Sequence, residues 1–144
     1  MLKKLFHSVM TLLMIFVLYS SVLAGSEQQT GEIKGMLIYK ESAKPVTDLT
    51  LVIWGCDKYD YQNKSYTMTA ISIKGQFPYR TACDDKGRFK FTDLPEGGYL
   101  IQQQLNGISM GKPLFVDGDQ GPTPCIKVQK GKTVDIGKVL VIKE

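Results

Sequence analysis

Between residues 31 and 142 the apolar positions recur mostly at every second residue, the period of strands with one buried face. Ile33, Gly35, Leu37 and Tyr39 alternate with Lys34, Met36, Ile38 and Lys40, which predicts a first strand. After a turn containing Pro45, Leu49, Leu51 and Ile53 alternate with Thr50, Val52 and Trp54, a second strand apolar on much of both faces. Residues 66–73 and 77–83 read as the arms of a hairpin about Lys74-Gly75-Gln76. Residues 88–92 set Phe89 and Phe91 on one side, with Arg88 and Lys90 on the other. A strand at 98–105 follows the turn Leu94-Pro95-Glu96-Gly97, and short apolar pieces at 114–116 and 126–128 flank a loop rich in Gly, Asp and Pro. A last strand at 133–142 follows Lys130-Gly131. No helical i, i+3, i+4, i+7 stripe is sustained anywhere in this stretch. Several short strands separated by turn signals predict an all-β sandwich.

The first 24 residues break the pattern. Lys3 and Lys4 precede an apolar run at 9–18 interrupted only by Thr11, and Val22-Leu23-Ala24 supplies a small-residue exit before Gly25. These are the three parts of a secretory signal peptide. An uncleaved anchor is the alternative, weakened by His7, Ser8, Thr11, Ser20 and Ser21. Ser26 stands where a lipid-anchored chain needs cysteine. The expected organisation is therefore a signal peptide at 1–24, a disordered lead-in at 25–30 and one domain at 31–144. The expected location is periplasmic or secreted, without stable membrane insertion after cleavage.

Charge then narrows the chemistry. The 144 residues carry a net charge of +4, and removing Lys3 and Lys4 lowers it to +2 with both signs interspersed. A nucleic-acid binder concentrates its cations on one face, so no nucleic-acid partner is expected. The single histidine is His7, within the signal peptide. Ser-His-Asp and Cys-His nucleophile systems, most catalytic zinc sites and the non-heme iron triad all lean on imidazole. No catalytic group, cofactor or metal is expected.

Export makes disulfides persistent. Cys56, Cys83 and Cys125 allow one bridge and leave one thiol, and none is spaced as a C-x-x-C pair. Cys56 with Cys83, which flank residues 57–76, is the favoured pairing; Cys83 with Cys125 is the alternative. The remaining thiol is expected to be buried as a small apolar group.

The stretch Asp84-Asp85-Lys86-Gly87-Arg88-Phe89-Lys90-Phe91, followed by Leu94-Pro95-Glu96-Gly97-Gly98-Tyr99, resembles the carboxypeptidase regulatory-like domain. So do the opening Gly31-Glu32-Ile33-Lys34-Gly35-Met36-Leu37, the Pro45-Val46 turn and the closing Gly131-Lys132-Thr133. The resemblance implies a transthyretin-like β-sandwich of about seven strands, here with an inserted hairpin. It also implies an accessory module that contacts a larger partner. Its motif residues are structural: Gly87 permits a tight turn, Phe89 and Phe91 fill the space between sheets, and Tyr99 buries its ring with its hydroxyl tied to backbone. Enzymes on similar sandwiches use histidines or a C-terminal signature that this chain lacks. Isopeptide-locked relatives need an Asn in the last strand, whereas the asparagines here are Asn63 and Asn106.

The insertion, roughly residues 57–76, is longer than that family needs. With its flanks it gathers Trp54, Tyr59, Tyr61, Tyr66 and Tyr79, rings suited to a protein partner or to sugars. These five are the candidate binding residues, against the alternative that they cover one end of the core. Asn63-Lys64-Ser65 is a glycosylation sequon of little weight in a chain whose signal peptide looks bacterial. Asp57, Asp60, Asp84, Asp85, Asp117 and Asp119 could in principle serve calcium, but they match no EF-hand spacing and suit solvated turns better. The functional expectation is an exported, non-catalytic binding or structural module whose partner is an unknown protein or an envelope glycan. A small carbohydrate-binding or carbohydrate-processing protein using the aromatic insertion at 57–79 is the alternative.

Overall fold

The computed structural model describes residues 29–105 and 109–142. The expected signal peptide and most of the lead-in lie outside the described residues. Eleven strands form among those residues: β1 (Gly31–Tyr39), β2 (Thr50–Asp60), β3 (Ser65–Thr69), β4 (Tyr79–Ala82), β5 (Arg88–Leu94), β6 (Gly97–Leu105), β7 (Ser109–Pro113), β8 (Val116–Gly118), β9 (Gly121–Thr123), β10 (Ile126–Val128) and β11 (Thr133–Val141). A three-stranded sheet runs β11-β1-β5, and a six-stranded sheet is built on β10-β6-β2-β3, with β4 also on β2 and β7 also on β6. A separate hairpin pairs β8 with β9. The fold is the expected all-β sandwich.

Period-two patterning explains why the sheets face each other. Ile33 and Leu37 of β1, Phe89 and Phe91 of β5, and Val139 and Val141 of β11 turn inward from one sheet. Leu51 and Ile53 of β2, Tyr99 and Ile101 of β6, and Ile126 and Val128 of β10 meet them from the other. Phe91 is fully buried and Phe89 is 4% exposed, so both rings fill the space between the sheets as the motif implied. Tyr99 buries its ring, and its hydroxyl donates to the Pro95 carbonyl at 2.6 Å. Gly87 has φ +74°, and a Cβ there would collide with the Leu37 carbonyl. No other residue type fits this turn at so little cost.

The strand count exceeds the expected seven, largely because the insertion folds differently. Lys74 and Gly75 do make a tight turn, both at positive φ, with reciprocal Ile73–Gln76 backbone bonds of 3.2 and 2.9 Å. The arms on either side, however, do not pair with each other. β3 and β4 both run antiparallel to β2, end to end along the same edge. The hairpin is instead β2–β3, closed by residues 61–64.

This arrangement also overturns the favoured disulfide. Cys56 bonds to Cys125, with a Cα–Cα distance of 5.4 Å, and Cys83 is free. The register supplies the reason. Thr50 pairs with Ala82, and the Cys83 amide donates to the Leu49 carbonyl at 3.0 Å. Cys83 therefore lies seven residues along β2 from Cys56, about 23 Å at a strand's rise. A disulfide needs Cα atoms within about 7 Å. Cys125 arrives just ahead of β10, beyond β6, whose Gly98 backbone packs so tightly on the Cys56 carbonyl that a Cβ there would overlap it. Cys83 is half-buried, and that burial, with Asp84 beside it, pushes its thiol up to about 11.

Candidate functional site

The outward face of the six-stranded sheet carries most of the aromatic side chains singled out from the sequence. Val52, Trp54 and Cys56 occupy alternate positions on β2, opposite Gln102 and Leu100 of β6. Arg80 of β4 pairs with Val52, and Met68 of β3 pairs with Cys56. Between Cys56 and Tyr59 the register slips by one residue, leaving Tyr59 opposite Tyr66. Tyr66 and Met68 share a face of β3, so this bulge returns Tyr59 to the side of Cys56. Without the extra residue Tyr59 would point away, since strand side chains alternate. The bulge thus joins the hairpin aromatics to the outer face of the sheet.

The rings fall into groups. Tyr59 packs edge-on against Tyr61 (centroids 4.8 Å, 72°) and against Phe115 (6.0 Å, 78°). The Tyr61 hydroxyl lies close to Gly118 of β8, which ties the hairpin tip to β8–β9. Trp54 meets Phe77 edge-on at 5.8 Å. Tyr79 departs from the group: it packs against the core, 5.7 Å from Phe91, and donates its hydroxyl to the Thr92 carbonyl at 3.3 Å. Three apolar side chains stand well into solvent along the strip, Phe77 at 57%, Met68 at 44% and Phe115 at 44%. Phe115 carries no sequence signal, since it sits in a link far from the insertion and joins Tyr59 only through the fold. Two polar atoms on this face, Trp54 Nε1 and Gln102 Oε1, are buried without a hydrogen-bond partner.

The hairpin tip is held by its own acid. Asp60 Oδ1 accepts from the Gln62 and Asn63 amides at 2.9 and 3.1 Å, and Oδ2 accepts from Asn63 Nδ2 at 2.8 Å. The Asn63 bonds hold its carboxyl below the usual carboxylate range. Asp84 does the same for the turn before β5, accepting from the Lys86 and Arg88 amides and pairing with the Arg88 guanidinium at 2.7 Å. Among the described residues no three His, Cys, Asp or Glu side chains gather to hold a metal ion.

No family model matches the chain, and no curated protein matches it. Solved structures do. A variant of BcpA, the major pilin subunit of Bacillus cereus, is 17% identical with a TM-score of 0.51, covering 80% of this chain and 30% of the pilin. GBS52, the minor pilin of Streptococcus agalactiae, is 15% identical at a TM-score of 0.45, over 81% of this chain and 47% of its own. The dioxygenase domain of a carbohydrate-binding fusion protein from Streptomyces sp. SirexAA-E is 17% identical at 0.44, over 84% of each chain. The first likeness shows the fold, an all-β sandwich of the kind found in a pilin subunit. This chain spans under a third of that pilin.

Proposed function

We propose that this chain is an exported, non-catalytic binding module of the carboxypeptidase regulatory-like type, spanning residues 31–144 after a cleaved signal peptide. It acts in the periplasm or outside the cell by holding a protein partner. The observation that carries this reading is the strip on the outer face of the six-stranded sheet. There Phe77, Met68 and Phe115 stay exposed beside Trp54, Tyr59, Tyr61 and Tyr66. Aromatic side chains and Met are enriched where protein surfaces meet. The edge-on packing favours protein over sugar, because a sugar ring stacks on a free ring face and these faces are partly taken by neighbouring rings. Likeness to a pilin subunit supports a structural or binding role on the same fold, though fold alone assigns no function.

A photo-crosslinking amino acid placed at Phe115 in the native host tests the reading, with the same group at exposed Lys44 as control. A discrete protein adduct from the first position and none from the second is expected. A glycan array run on the wild type and on the Tyr59→Ala, Tyr61→Ala, Tyr66→Ala triple variant supplies the opposite outcome. Glycan binding that the three changes abolish, with no protein adduct at Phe115, would replace this reading with the carbohydrate one.

A further inference from the structure

The opposite face of the sandwich holds a groove of about 600 Å³. It lies over the three-stranded sheet where β11 bulges against β1. Lys34 pairs with Asp135 and Met36 with Lys138, so Ile136 and Gly137 together oppose Gly35. Gly137 takes φ +66°, and its amide donates to Asp135 Oδ1 at 2.9 Å. Gly137 leaves open space where a side chain would stand. At Gly35 the missing Cβ instead lets Ile136 and Phe89 close up beneath the groove, where a Cβ would meet Ile136 at 2.7 Å. Thr81 and Ala82 of β4 close one side. Bulges of this kind recur beside binding sites because they re-aim side chains and end regular pairing.

The charges over this groove are arranged in rows across the three strands. Lys90, Lys34 and Asp135 form one row, and Arg88, Met36 and Lys138 form the next. Four cations line the groove against two carboxylates, Asp84 and Asp135. Lys34 pairs with Asp135 at 3.3 Å, Arg88 with Asp84 at 2.7 Å and Lys90 with Glu32 at 2.9 Å. Lys138 makes no ion pair among the described residues. Beyond this cationic band the same face turns apolar: Ile38 pairs with Leu140, which is 58% exposed, and Ile142 is 67% exposed.

We propose that this groove binds an extended acidic segment of a partner protein, one that alternates carboxylates with apolar side chains. The carboxylates meet Lys138, Arg88 and Lys90, while the apolar side chains settle on Met36 and over the open position of Gly137 and continue toward Leu140. Charge complementarity selects an anion, and the apolar floor and end select one that carries hydrophobic groups. A phosphate polymer has none. An anionic membrane calls for a larger surplus than the single cation left once Glu32, Asp84 and Asp135 have paired with three of the four. The groove shares no lining residue with the aromatic strip, so it is a second surface and does not depend on the first.

A fluorescein-labelled octapeptide alternating Glu and Leu is the probe, followed by fluorescence anisotropy on the purified protein. Saturable binding is expected. Lys138→Glu should weaken it about fivefold, the scale of one exposed charge contact. Lys127→Glu, the same charge change on β10, should leave it unaltered, and a peptide alternating Gln and Leu should not bind. The proposal is overturned by no saturable binding, by equal loss in both variants, or by equal binding of the Gln peptide. Binding confined to inorganic polyphosphate or to phosphatidylglycerol vesicles would overturn it too.

Discussion

The two sheets turn very different outer faces to solvent. On the six-stranded sheet the outward row is Trp54, Met68, Tyr59 and Tyr66, packed around buried Cys56 and its disulfide and joined by edge-on rings. On the three-stranded sheet it is Glu32, Lys34, Lys90 and Asp135, held by exposed ion pairs, with Lys138 beside them. The β2–β3 register slip carries tyrosine to the outer surface, and the β1–β11 slip opens a groove on the other sheet. Apolar area gains from any partner that excludes water, whereas exposed charges contribute little to stability and discriminate between partners. Damage should therefore be tolerated differently on the two sides.

The core they share responds most. Phe91→Ala should cost about 3–5 kcal/mol in urea unfolding, and a loss well under that would show the sheets are not welded through this ring. Cys125→Ser is next. It frees a bridge between residues 69 apart and should cost about 2–4 kcal/mol. Cys83→Ser should change the unfolding midpoint little under the same conditions. Phe115→Ser on the aromatic face should cost about 1 kcal/mol or less, because 44% of the residue is already exposed. Asp135→Asn on the charged face should be hardest to detect by denaturation at neutral pH.

Acid sharpens the contrast. The Lys90 bond lowers the Glu32 carboxyl, the Arg88 amide lowers Asp84, and the Gly137 amide lowers Asp135. A carboxyl lowered in the folded state adds stability that is present above its unfolded value and lost as pH falls through the folded one. The unfolding midpoint should hold steady above about pH 5 and fall below about pH 4. Alkylation of Cys83 at pH 8 should be far slower than for an unfolded control, since its thiol is pushed up to about 11.

What could be read from the chain was what depends on neighbours in sequence. Alternation in 33–39 and 88–92 announced β1 and β5, and the Pro95-to-Tyr99 turn announced its own hydrogen bond. The pairing of β3 and β4 with β2 was not legible, because a local hairpin and two edge strands share one hydrophobic pattern. The disulfide failed for the same reason: flanking an insertion says nothing of register, and register separates Cys56 from Cys83. In the aromatic group, Tyr59 and Tyr61 could be named from sequence. Tyr79 shared their composition yet turns inward, and Phe115 joins them from outside the insertion. The groove was invisible, since Lys34 and Asp135 meet only through β1 and β11.

That last pairing also governs when the fold can exist. Glu32 and Thr133, 101 residues apart, pair in the parallel β1–β11 ladder, and the Thr133 hydroxyl donates to Glu32 Oε2 at 3.1 Å. The strand nearest the start of the domain waits for the strand nearest its end. Such long-range closure slows folding, because loop entropy is lost before the contacts form. A chain emerging from synthesis holds β1, the central strand of its sheet, without β11 until all the strands between them are made. For a protein exported as proposed, that delay keeps the polypeptide threadable through a translocation channel. It then folds on the far side, where Cys56 and Cys125 can oxidise.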